Sequence, residues 1–114
     1  MKKVVFVCHD PGGYDVVSPV YELMRKEGVD CAFFPLGPSA QLANMQTGRA
    51  DILIYLKQMI DKQEIALLVT GTSWGTDIEL KCIDMCNKSG VYTIAILDYC
   101  VWFNIVATIH HCCV

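Results

Sequence analysis

Charge is scarce in this chain: Asp, Glu, Lys and Arg make up 18% of its 114 residues, where soluble domains carry about a quarter. No run of basic residues is longer than two and the net charge is −3, so the electrostatic footprint of a nucleic-acid binder is missing. No apolar run reaches the roughly 18–20 residues that a membrane span needs. Lys2 and Lys3 precede an apolar stretch that stops at His9-Asp10-Pro11, short of the roughly 7–15 residues of a signal-peptide core. The expected location is therefore cytoplasmic. The sequence has neither a GxGxxG fingerprint nor a Walker loop, and its seven cysteines include no CxxC pair. In a reducing compartment such cysteines read as small buried hydrophobes, Cys82 and Cys86 among them as a core-facing i, i+4 pair.

What is abundant is apolar surface, at 54% of residues. Lys3 to Cys8 and Ile65 to Thr70 are runs without polar alternation, the mark of strands buried on both faces of a parallel sheet. Each leads into a helical pattern. After the first strand a helix is expected from about Asp15 to Lys26, with Val16, Val20, Leu23 and Met24 on one face and Gly28 as its stop. Val29 to Leu36 reads as a second strand, Ala50 to Lys62 as an amphipathic helix, and Val91 to Leu97 as the last strand. Between Ser39 and Gly48 the pattern supports a short helix or a loop with a weak strand. The helix after Ile65–Thr70 carries Asp77 and Glu79 early and Lys81 later, which suits its dipole, and Gly90 ends it. This alternation predicts one α/β domain over residues 1–114, a parallel sheet between two helical layers.

Ligands of such sheets collect at the loops following the strands, where the strand order reverses. If the first strand and Ile65–Thr70 are neighbours, their loops lie only about 5 Å apart. The first loop offers His9 as a general base, Asp10, and the turn Pro11-Gly12-Gly13, whose glycines are expected at positive φ with backbone N–H groups open to a phosphate or carboxylate. The second offers Thr72, Ser73 and Trp74, with hydroxyls to bind and an indole to stack. Asp98 is expected at the rim. Each has a plainer reading: a simple βα turn, an exposed histidine, and helix capping by Ser73 or Thr76. His110, His111, Cys112 and Cys113 are too closely spaced for a tetrahedral metal site, so neither a metal nor a cofactor is expected. From Tyr99 onward the sequence is nearly all apolar. Val101, Trp102, Phe103, Ile105, Val106 and Ile109 give the impression of a truncated end, and predict a homo-oligomer in which that segment is covered.

Taken together, His9-Asp10-Pro11-Gly12-Gly13, the segment Thr70 to Glu79 and Ile94 to Asp98 resemble the N-terminal half of GT-B-type glycosyltransferase-like proteins. The group in question is the polysaccharide-biosynthesis and nucleotide-sugar 2-epimerase-like one. The resemblance covers roughly residues 3–105. It implies a Rossmann-like sheet of order 3-2-1-4-5 and half of a cleft that binds a sugar or nucleotide-sugar ligand, with acceptor contacts carried by His9 to Gly13 and by Thr72 and Ser73. A partner α/β domain would hold the donor, so the chain alone is expected to be inactive. The alternative is a small flavodoxin-like ligand-binding or regulatory module without chemistry.

Overall fold

The computed structural model describes residues 2–43, 52–73 and 76–97. They form β1 (Lys3–Cys8), α1 (Pro11–Lys26), β2 (Cys31–Pro35), α2 (Pro38–Leu42), α3 (Ile52–Asp61), β3 (Ile65–Thr70), α4 (Ile78–Lys88) and β4 (Tyr92–Ala95). All strand pairs are parallel, in the order β2-β1-β3-β4. The two unbroken apolar runs, β1 and β3, are the central strands and lie side by side, with Val5 opposite Leu68 and Val7 opposite Thr70. Pro35, which cannot donate to a ladder on its free side, falls on the edge strand β2.

Alternation along β1 explains why its sequence shows none. Val4, Phe6 and Cys8 face one cluster with Val17 and Val69, beneath α1. Val5 and Val7 face the other with Ile52, Leu56, Met59, Cys82, Ile83 and Cys86, beneath α3 and α4. Both faces are covered, so every position is apolar. The chain moves outward from β1 to β2, then crosses back to β3 and on to β4. Crossovers of one hand in opposite directions put α1 on one face and α3 and α4 on the other. The result is a three-layer Rossmann-like fold. Among the described residues no helix is long and apolar enough to cross a membrane.

Several boundaries differ from the sequence pattern, for local reasons. Helix α1 begins at Pro11 instead of Asp15, because proline is pre-organised for the first helical position and has no N–H to leave unsatisfied. Its buried stripe accordingly centres on Gly13 and Val17, with Val20 and Met24 packed beside them, while Leu23, six residues beyond Val17, is turned out to solvent. Part of the Ser39–Gly48 stretch is settled as α2, and residues 44–51 lie outside the description. Three helices end alike. Val29, Glu64 and Val91 N–H groups bond back to Met24, Met59 and Cys86, with Gly28, Gln63 and Gly90 at positive φ before each.

Two backbones approach closely where α1 starts beside the end of β3. A side-chain carbon added at Gly71 would stand 2.7 Å from the Gly13 Cα, a backbone atom with nowhere to move. Gly71→Ala is therefore expected to destabilise the protein by about 1–3 kcal/mol, the range of overpacked positions. Chemical denaturation measures it, and a variant as stable as the parent would show that the two segments are not held this closely.

Candidate functional site

Three loops meet at the C-terminal ends of β2, β1 and β3. The first residues past β1 are His9 and Asp10, both half-buried. His9 Nδ1 lies 2.8 Å from Asp10 Oδ1. An ionised carboxylate accepts only, so Nδ1 carries the proton; in the neutral imidazole Nε2 then keeps the lone pair that a base needs. The ring is seated on the loop after β2. A carbon added at Gly37 would stand 2.5 Å from His9 Nε2, and Gly37 has φ +49°, so this position calls for glycine twice over. Ser39, fully buried at the start of α2, clamps the same loop from below. Its hydroxyl lies 2.7 Å from the His9 carbonyl and 3.1 Å from that of Asp10, and its N–H donates to the His9 carbonyl as well.

On the other side Ser73, half-buried in the loop after β3, accepts a bond from the Asp10 N–H at 3.3 Å. This contact ties the β1 and β3 loops together. It uses a lone pair of the Ser73 oxygen and leaves its O–H proton to be donated elsewhere. Thr72, also half-buried, stands next to it. Thr76 accepts from the Ile78 N–H, so it, and not Ser73, serves the start of α4.

Gly12 and Gly13 are where the sequence placed them but do not adopt the expected conformation. Neither has positive φ; both lie in the first turn of α1, downstream of Pro11. The helical ladder begins with the Tyr14 N–H bonding to the Asp10 carbonyl, so the N–H groups of Gly12 and Gly13 have no acceptor within the helix. A side-chain carbon at Gly13 would make ordinary contacts only, the nearest at 3.5 Å from the Gly71 Cα. Trp74 and Asp98 lie outside the described residues, as do His110, His111, Cys112, Cys113 and the apolar segment from Tyr99 onward. Among the described residues, no group of three His, Cys, Asp or Glu side chains is placed to hold a metal ion.

One residue the sequence pattern assigned to the helix dipole belongs to this site. Glu79, in the first turn of α4, is 3% exposed, and neither carboxylate oxygen has a partner at hydrogen-bonding geometry. Its Oε2 lies 3.4 Å from a carbon built on Gly71 and 3.7 Å from one built on Gly13. Burial raises its pKa above the ordinary glutamate value, and the Asp10 charge adds to this. The Ser73 hydroxyl and the His9 backbone and imidazole act in the other direction without prevailing. Spacing gave a signal that was passed over: Glu79 precedes Cys82, Ile83 and Cys86 by three, four and seven residues, on the very stripe that faces the core. Close by, burial pushes the Cys8 thiol up to about 12; a bond with Ser39 lowers it and the neighbouring Glu79 raises it. Cys8 is thus neutral and no nucleophile.

No protein-family model, curated protein or solved structure matches this chain. The functional argument therefore rests on the site.

A raised folded-state pKa means that the native protein binds the Glu79 proton more tightly than the unfolded chain does. The stabilisation is complete at acidic pH and is lost as pH rises from the ordinary glutamate range through the folded value. Glu79→Gln cannot ionise, so its stability relative to the parent is expected to increase over that window. Denaturant melts at a series of pH values test this, and parallel profiles for the two proteins would mean that Glu79 titrates normally.

Proposed function

We propose that this chain binds a phosphate-bearing sugar or a nucleotide sugar in the crevice above β1 and β3, as the acceptor half of a glycosyltransferase-like cleft. The observation that carries the reading is the convergence of three features at the point where the strand order reverses. These are the N–H groups of the α1 first turn that have no acceptor within the helix, the Asp10-held imidazole of His9, and the Ser73 hydroxyl. A helix N-terminus favours negative charge, and hydroxyl and imidazole groups beside it suit a sugar oxygen. In this reading His9 Nε2 is the base that takes a proton from an acceptor hydroxyl, and Asp10 holds its tautomer. Asp10, Gly12, Gly13, Thr72 and Ser73 form the binding surface, with Trp74 and Asp98 proposed at its edge. The donor would sit on a second α/β unit, from a partner or a second copy of the chain, so the chain alone is proposed to be inactive. The resemblance to the GT-B N-terminal half supports this, although among the described residues no strand lies outside β2, where the implied order 3-2-1-4-5 places one.

A second reading has one specific observation in its favour. The order β2-β1-β3-β4 matches the first four strands of a flavodoxin-like sheet, whose ligand sits between β1 and β3. A binding module without chemistry would use the same crevice. In both cases calorimetric titration with a sugar phosphate and a nucleotide sugar is expected to show binding that His9→Ala weakens by about tenfold, the loss of one hydrogen bond to a charged group. Equal affinity in parent and variant would remove His9 from the site. Turnover of a bound ligand would then separate the transferase reading from the binding module.

A further inference from the structure

We infer that Ser39 and Ser73 are positioning residues for His9: they hold the peptide between His9 and Asp10 from both sides, and so decide which imidazole nitrogen keeps its lone pair. The inference rests on His9 acting in the site proposed above, and adds what fits it for that role.

The carbonyl of this peptide, that of His9, accepts from the Ser39 hydroxyl at 2.7 Å and from the Ser39 N–H at 3.0 Å, so both of its lone pairs are in use. Its N–H, that of Asp10, donates to the Ser73 hydroxyl oxygen at 3.3 Å. The peptide is trans, so these groups point in opposite directions, one toward the loop after β2 and the other toward the loop after β3. It is a crossbar between two loops that share no other element. The Ser39 hydroxyl also lies 3.1 Å from the Asp10 carbonyl, which takes the first helical bond of α1 from the Tyr14 N–H. Ser39 itself is fully buried, and its hold on the crossbar is shielded from water.

The crossbar controls the side chains on either side of it. The ψ angle of His9 and the φ angle of Asp10 fix how these two side chains lie relative to each other, and both angles turn with the peptide plane. Neighbours on extended backbone ordinarily point to opposite sides. Asp10 is extended, at φ −80° and ψ 155°, yet its Oδ1 stands 2.8 Å from His9 Nδ1. That contact puts the ring proton on Nδ1 and leaves the lone pair on Nε2, the nitrogen seated against Gly37. Released at either end, the peptide turns, the carboxylate leaves Nδ1, and the proton can occupy either nitrogen.

Nitrogen-15 NMR of the ring, at an alkaline pH where the imidazole is neutral, reads the two tautomers, with the His9 signals assigned by their loss in His9→Ala. The parent is expected to be mainly the Nδ1–H form. Asp10→Ala removes the acceptor and should lower the ratio of Nδ1–H to Nε2–H by about tenfold. Ser39→Ala and Ser73→Ala should each lower it several-fold, while circular dichroism shows them folded. Ser73→Thr keeps the oxygen and should keep the parent ratio. A merely structural serine would change stability without moving the ring proton. If Ser39→Ala does not fold, Ser73→Ala, in a half-buried loop, decides alone. An unchanged ratio in either folded alanine variant, a Ser73→Thr ratio that falls as far as that of Ser73→Ala, or a parent mainly in the Nε2–H form overturns the inference. Glucose 1-phosphate and UDP-glucose, titrated by calorimetry into the same proteins, test the underlying reading separately. If neither binds the parent, the binding site falls and the hold on the imidazole stands. If the parent and the serine variants bind them equally, the hold serves no ligand and the inference falls.

Discussion

The contact of Gly13 with Gly71 is the constraint on which the rest of the site depends. Two backbones, one at the start of α1 and one just past the end of β3, approach so closely that a side chain at Gly71 would run into the Gly13 Cα. That approach draws the β1 and β3 loops together, so that the Asp10 N–H reaches Ser73 across 63 residues of sequence. It also shuts Glu79 away from solvent by covering its carboxyl with peptide backbone. A larger residue at Gly71 would force the two backbones apart above the acid. Geometry and electrostatics are here one decision.

The polar groups are arranged around that contact by the sheet. β1 ends at a buried cysteine and hands the chain to His9 and Asp10. β2 returns it through Gly37, whose missing side chain makes room for the imidazole, and through Ser39, whose hydroxyl fixes the carbonyls beneath. β3 contributes Ser73, and α4 contributes Glu79. The loops after β1, β2 and β3 therefore each supply one support, and none of the supports lies within a helix interior. These groups border the first turn of α1, where the N–H groups of Gly12 and Gly13 have no acceptor within the helix.

The fold was largely legible because hydrophobic patterning expresses it directly. A run such as Val4-Val5-Phe6-Val7-Cys8 has one stable destination, the middle of a parallel sheet, and the stops at Gly28 and Gly90 are local chemistry. Helix boundaries were less legible where one residue serves two roles. Pro11 reads as a turn residue and is equally a helix start, and the difference shifts the buried stripe from Leu23 to Val17. In the site, His9, Asp10, Gly12, Gly13, Thr72 and Ser73 were found by their position after strands. Glu79, Ser39 and Gly37 were not, since each owes its role to a neighbour distant in sequence. An acid near a helix start has an adequate local explanation in the dipole, and only the stripe shared with Cys82 and Cys86 argues otherwise. A glycine after a strand looks like any loop glycine until an imidazole is placed upon it.

The central claim is that burial under the β1 and β3 loops raises the pKa of Glu79 above the ordinary glutamate value. The most direct measurement is a carbon-13 NMR titration of the glutamate side-chain carboxyl signals, with the Glu79 resonance assigned by its disappearance in Glu79→Gln. The account predicts that this carbon changes its shift only above the ordinary glutamate range, while the folded protein stays intact. A Glu79 signal that titrates together with those of exposed glutamates would contradict it, and with it the picture of an acid shut beneath the Gly13–Gly71 contact.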